Sequence, residues 1–181
     1  MTIVNRPAEI LKPEEEIQKR VAELGGCISR DYKGEPITVL AVLRGAFMFV
    51  GDLVRRIETP VRCGFVEIRT SRRSELMTEI AFASMIDVEN RNVLLVDDVL
   101  DTGITMAYLC QQLNLRRPKS LRVCTLLDKP HRRRIDLVPD FCGFQAPDRF
   151  VVGYGLDYEG EFQNLPYLAL LDEETLGGAT K

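Results

Sequence analysis

The chain has 181 residues, 45% hydrophobic and 28% charged, with a formal net charge of −3. This suits one soluble globular domain with a real core, and the acidic balance argues against a broad nucleic-acid footprint, which needs a basic surface. Cys27, Cys63, Cys110, Cys124 and Cys142 include no Cys-x-x-Cys pair, which argues against a zinc knuckle or disulfide framework and for the reducing cytoplasm; no apolar run looks like a signal peptide or approaches bilayer length, so no membrane association is expected.

Glu9-Ile10-Leu11 reads as a short edge strand. Pro13 followed by Glu14, Glu15 and Glu16 opens a helix, because proline suits a first turn and acids favour the positive end of the helix dipole. Ile17, Val21 and Leu24 give it an apolar face, and Gly25-Gly26 is expected to stop it. Residues 37–43 form an unbroken apolar strand ending at Arg44-Gly45. A helix is expected next, at about 46–57, with Phe47, Val50, Val54 and Ile57 apolar. A cation in that loop suits a phosphate or diphosphate, although an Arg-Gly pair is more often a plain turn. Residues 65–68 are a third strand. It runs into Arg69-Thr70-Ser71-Arg72-Arg73-Ser74-Glu75, which reads either as a solvated hairpin tip or as a cationic lid over an anionic substrate.

Residues 93–105 carry the strongest signal. Val93, Leu94, Leu95 and Val96 run into Asp97-Asp98, then Val99-Leu100 into Asp101-Thr102-Gly103-Ile104-Thr105, and a helix over about 105–114 follows. A run apolar on both faces suits a central parallel strand, and such sheets bind ligands at the carboxyl ends of their strands. Helix-start amides make a phosphate cradle, and Gly103 lets backbone come close. Thr102 and Thr105 add hydroxyls, and two carboxylates suit a sugar diol or Mg²⁺. Asp101 is left over as a candidate general base. A simple helix cap also uses Asp and Thr, but three carboxylates in five residues repel one another unless a cation or donor offsets them.

Residues 121–127 read as the next strand, ending at Asp128-Lys129-Pro130 with the lysine aimed into the same crevice. His131 reads as solvated, and Arg132-Arg133-Arg134 as surface or as an oligomer contact. Residues 139–144 and 149–158 are aromatic and β-prone. There Phe150 could stack on a flat heterocycle and Asp157 could meet Mg²⁺ indirectly, the plainer reading being a sheet core with an incidental acid. Residues 167–171 are a last strand. The whole is an α/β fold: a central parallel sheet flanked by helices. The single domain spans 1–181, with a core of about 35–150 and a small hood built from about 1–30 and 150–181.

Residues 93–105 resemble the ribose-phosphate motif of type I phosphoribosyltransferases. Val42-Leu43-Arg44-Gly45, Leu127-Asp128-Lys129, Pro139-Asp140-Phe141-Cys142-Gly143-Phe144, Arg149-Phe150-Val151-Val152-Gly153-Tyr154 and Leu156-Asp157-Tyr158 are similar, in the same order, to the hypoxanthine branch of that family. The resemblance implies the type I fold and transfer of a phosphoribosyl group from phosphoribosyl pyrophosphate to a 6-oxopurine, in a homodimer or homotetramer. It implies that Asp97 and Asp98 hold the ribose hydroxyls, one or both through Mg²⁺, and that Asp101 serves purine N7 as base or acid. Thr102, Gly103, Ile104 and Thr105 would hold the 5-phosphate. Arg44 and Gly45 would contact pyrophosphate, in many members through a cis peptide. Lys129 would bond the 6-oxo group, Phe150 would stack on the base, Val151 would face the 2-position with its backbone, and Asp157 would sit near a second Mg²⁺. The resemblance leaves a xanthine- or guanine-preferring enzyme, an RNA-binding regulator and a non-catalytic relative as alternatives. Two places depart from the pattern: Thr70-Ser71 stands where a Ser-Tyr pair is usual, and Gln163 where an arginine contacts pyrophosphate. Arg69, Arg72 or Arg73 could supply the missing cation.

Overall fold

A computed structural model describes residues 9–70, 78–82 and 87–171. Six strands make the main sheet: β2 (Ile37–Leu43), β3 (Val61–Thr70), β4 (Thr78–Phe82), β5 (Asn92–Leu100), β6 (Ser120–Asp128) and β7 (Phe141–Gln145). Their order is β4-β3-β2-β5-β6-β7; β3, β2, β5, β6 and β7 are parallel, and β4 is antiparallel at the edge. The expected α/β architecture is therefore present, with β5 in the interior of the sheet.

Strand alternation splits the apolar residues into two cores. Val39, Ala41, Leu94, Val96 and Leu126 face one side, where they meet the helices α1 (Glu14–Tyr32) and α2 (Phe47–Val54). Leu40, Val42, Val93 and Leu95 face the other side, against Met106, Leu109 and Leu113 of α3 (Ile104–Asn114). Each such fully buried aliphatic side chain contributes about 1.5–3 kcal/mol, so this three-layer packing anchors both loops that leave β2 and β5.

A second sheet joins β1 (Glu9–Lys12), β9 (Leu168–Leu170) and β8 (Val151–Val152). All its pairings are antiparallel. One face has its own small cluster of Val152, Phe162, Ala169 and Leu171, while Val151, Leu168 and Leu170 continue the main core. This sheet brings the two ends of the chain together beside the carboxyl ends of the main strands.

Two expectations change. Helix α1 does not stop at Gly25-Gly26 but runs through to Tyr32. A Cβ on Gly25 would overlap the backbone of Arg56, so this glycine serves close packing of α1 against the end of α2. The helix closes instead with Lys33 in the left-handed region, φ 51°. Helix α2 is shorter than expected and buries Phe49, Val50 and Leu53, leaving Phe47 exposed. Within the described part of 1–30, β1 enters the small sheet, while α1 lies in the main core, where Ile17, Val21, Leu24 and Ile28 are buried.

Candidate active site

The carboxyl ends of β2, β5 and β6 and the start of β8 enclose a cavity of about 530 Å³. Gly45, Asp98, Asp101, Lys129, Phe150, Val151 and Asp157 line it, together with Arg132, Asp148 and Arg149. Residues from five separate stretches thus meet in one place. Arg44, Asp97, Thr102, Gly103, Ile104 and Thr105 are not in its lining. Arg44 lies on the β2–α2 connection, Asp97 on β5, Thr102 and Gly103 on the β5–α3 connection, and Ile104 and Thr105 at the start of α3.

Strand β5 runs through the acidic pair to Leu100, rather than ending before it. The Asp97 carboxylate curls back to accept the Asp98 backbone N–H at 2.9 Å, and Asp98 accepts from Val99 N at 2.7 Å. Burial, then the adjacent Asp98 charge, pushes Asp97 well above the usual carboxylate range; burial also raises Asp98, against the bonds it accepts. Gly45 lies so near that a Cβ there would overlap the Asp98 carboxylate, and the Leu43–Arg44 peptide is cis, as the resemblance implied.

The β5–α3 loop is not a simple cap. Its N-cap residue is Gly103, φ 82°, without a side-chain cap bond, and Thr102 Oγ1 accepts from Ile104 N at a long 3.4 Å. Ile104 and Thr105 are exposed at the first turn of α3. Its start therefore keeps amides and hydroxyls that suit an anion.

Lys129 is buried, and burial lowers its pKa from the ordinary lysine value. Its Nζ donates to the Arg149 carbonyl at 2.8 Å, and its N–H to the Leu100 carbonyl at 3.0 Å. Phe150 is 41% exposed, its ring set edge-on to Tyr158 at 5.4 Å. Its partial exposure leaves ring surface open to a ligand.

The Arg run is a correction. Arg132 Nε donates to Asp101 Oδ1 at 2.7 Å and Arg132 Nη1 to Asp148 Oδ1 at 2.8 Å. Arg133 donates to the carbonyls of Leu100 and Asp101 and to the Asp128 carboxylate. These two arginines brace the acidic loop and do not form a free basic face, which also weakens the RNA-binding alternative. Sequence reading missed Arg132, Arg133 and Asp148. The available signal was the pairing of β5 with β6, which sets whatever follows Lys129 beside the uncompensated acid of Asp101. His131 is exposed as expected, with Nε2 4.0 Å from Asp148.

On the far side, Asp157 accepts from Gly160 N at 2.8 Å, and Gln163 Nε2 lies 3.4 Å from its Oδ1. Gln163 is thus engaged with the acid. Ser71, Arg72 and Arg73 lie outside the described residues, as do the side chains of Arg69 and Thr70.

No group of three His, Cys, Asp or Glu among the described residues could by itself hold a metal ion. Mg²⁺ does not require one: it takes one or two carboxylates, waters and substrate phosphates. Asp98 and Asp157 line the same cavity, and Asp97 and Asp98 are raised carboxylates that a cation would relieve. The donor set fits an ion that arrives with a polyphosphate. Among the described residues no helix is long and apolar enough to cross a membrane.

Residues 7–159 match the family model described as phosphoribosyl transferase domain. The chain is 41% identical to the hypoxanthine phosphoribosyltransferase of Salmonella typhimurium, covering 91% of this chain and 97% of that one. It is 40% identical to the hypoxanthine-guanine phosphoribosyltransferase of Bacillus subtilis, over 90% and 92%. A crystal structure of the hypoxanthine-guanine phosphoribosyltransferase of Bacillus anthracis, with HEPES in the active site, superposes with a TM-score of 0.88 at 37% identity, over 92% and 100%.

Proposed function

The chain belongs to the phosphoribosyltransferase family, on its hypoxanthine branch, and from that premise we propose how its cleft divides the work. The enzyme transfers the 5-phosphoribosyl group from phosphoribosyl pyrophosphate to a 6-oxopurine, giving the nucleoside monophosphate and pyrophosphate, a step of purine salvage. The observation that carries the assignment of residues is that Asp101, Lys129 and Phe150, from three distant stretches, line one cavity.

The purine stacks on Phe150. Lys129 donates to its 6-oxo oxygen, which adenine lacks, and the Val151 backbone faces the 2-position. Guanine is read as a second substrate beside hypoxanthine, as in the similar hypoxanthine-guanine enzymes. As N9 bonds to the anomeric carbon and the bond to pyrophosphate breaks, the N7 proton passes to the Asp101 carboxylate. Asp97 and Asp98 hold the ribose hydroxyls, their negative charge tolerating the oxocarbenium-like centre. Thr102, Gly103, Ile104 and Thr105 hold the 5-phosphate, and Arg44 with the backbone of Gly45 faces the pyrophosphate. Mg²⁺, held toward Asp97 and Asp98 and on the other side toward Asp157, would neutralise the leaving group. Closure over the cleft excludes water, so that transfer outruns hydrolysis.

We further read 1–181 as one domain, acting in the cytoplasm as a homodimer or homotetramer. All five cysteines are free thiols, which suits a reducing compartment. Exposed Phe47, Met48 and Phe65 offer apolar surface for a second copy; sedimentation tests this.

The decisive experiment is initial rates with hypoxanthine, guanine, xanthine and adenine, each with phosphoribosyl pyrophosphate and Mg²⁺. Hypoxanthine should lead, and adenine should be inert. Asp101→Asn should lower kcat on hypoxanthine about a hundredfold or more. Unchanged turnover would reject Asp101 as the N7 group.

A further inference from the structure

The assigned reaction uses one oxygen of Asp101 and leaves unexplained what holds that carboxylate in place. Asp101 sits on a loop beyond the last residue of β5, with its side chain 41% exposed. A carboxylate so placed rotates freely unless tethered, and a misplaced reacting group costs rate steeply.

Two arginines from the short 3-10 turn after β6 (Pro130–Arg132) and its C-cap supply the tether. Arg133 holds the backbone, donating to the Leu100 and Asp101 carbonyls while Asp128 anchors its other nitrogen. Arg132 holds the side chain, with Nε on Asp101 Oδ1 at 2.7 Å. Among the described residues no protein donor occupies Oδ2, so the grip leaves one oxygen for the base. Arg132 is itself fixed by Nη1 on Asp148 Oδ1 at 2.8 Å. Arg132 and Asp148 both line the purine cavity. The planar guanidinium reaches two carboxylates from separate nitrogens in a fixed fork, a geometry that a lysine ammonium lacks.

We propose that Arg132 is the positioning residue of Asp101, and that Asp148 is the anchor that keeps Arg132 in place. The proposal rests on the assignment of Asp101 to purine N7. It accounts for ion pairs that do little for the fold: the side chains of Asp101, Arg132 and Asp148 are each more than 40% exposed, and exposed ion pairs contribute little stability. The pairing also has an electrostatic consequence. The Arg132 bond holds Asp148 below the usual carboxylate range. Arg132 is the cation seen bonded to the Asp101 carboxylate.

The test is steady-state kinetics on Arg132→Ala, Arg132→Lys, Asp148→Ala, Asp101→Asn and the double variant Asp101→Asn/Arg132→Ala. Arg132→Ala should lower kcat on hypoxanthine about tenfold. The KM for phosphoribosyl pyrophosphate should stay within about twofold. Arg132→Lys should restore only part of kcat, and Asp148→Ala should give a smaller loss of kcat than Arg132→Ala. The double variant should be no slower than Asp101→Asn alone, since Arg132 acts through Asp101. The proposal is overturned if Arg132→Ala keeps kcat, or if it costs as much in the Asp101→Asn background as in the parent. It is equally overturned if the loss in Arg132→Ala tracks a large fall in Tm and a raised KM for phosphoribosyl pyrophosphate, the mark of a structural role. Should Asp101→Asn itself retain full turnover, the assignment of Asp101 fails; should Asp101→Asn be slow and Arg132→Ala silent, only the role of Arg132 fails.

Discussion

Around the proposed base site, the charged groups hold one another or a backbone carbonyl: Asp101 with Arg132, Arg132 with Asp148, Lys129 with the Arg149 carbonyl. On the proposed phosphate side, Asp97 and Asp98 lie side by side with no cation bonded to either among the described residues, and Asp157 is met by a neutral amide at Gln163. On the proposed assignment, the purine half is preorganised by the protein, whereas the ribose and pyrophosphate half would be completed by the substrate and its metal. A site can leave carboxylates strained when the ligand itself brings the compensating charge.

The largest expected effect falls on the preorganised half. Lys129→Ala should lower kcat/KM for hypoxanthine about fiftyfold, the loss of one charged hydrogen bond to the 6-oxo group. It should narrow the gap to adenine, and an unchanged preference among the four bases would break the comparison at its first term. On the other half, Gly45→Ala should raise the KM for phosphoribosyl pyrophosphate about tenfold, because its Cβ must displace the Asp98 carboxylate. The KM for hypoxanthine should change far less. If both KM values rise together, the halves are not separable.

A smaller effect is expected at the departure. Gln163→Arg places a cation beside Asp157 and should lower the KM for phosphoribosyl pyrophosphate about threefold, the yield of a partly screened charge. No change would mean that the lid side already supplies the charge there. The smallest effect concerns stability. The Lys129 pKa is lowered by burial, so in the window between its folded value and 10.5 the unfolded chain binds more protons. Stability from this group therefore rises with pH across that window and is lost as pH falls through the folded value. Thermal melts of the parent and Lys129→Met should shift in the parent's favour as pH climbs from 7 toward 10.5. A constant difference would mean that Lys129 is not held in a desolvated site.

Much of the architecture was legible because β2 and β5 are apolar on both faces, a pattern only a doubly covered parallel sheet accommodates. Helix ends were legible less well. Gly25-Gly26 looks like a stop, yet the glycine answers to Arg56, thirty-one positions along the chain, and no local pattern reports that approach. Phe47 reads as an inward residue by its apolar character, but the start of α2 leaves it in solvent.

What the sequence determined by itself was chemistry clustered within a few residues: the acidic pair, Asp101 and the small-residue loop at one strand end. Their spacing alone implies a place for a phosphate beside a diol or a metal, since a strand end and a helix start hold such groups within reach of each other. What only the tertiary structure decided was which distant charges answer that acidity. Arg132, Arg133 and Asp148 look like ordinary surface residues in a linear reading. They become part of the site because β6 pairs beside β5 and the loop before β8 folds over both, and a through-space ion pair leaves no mark on sequence spacing.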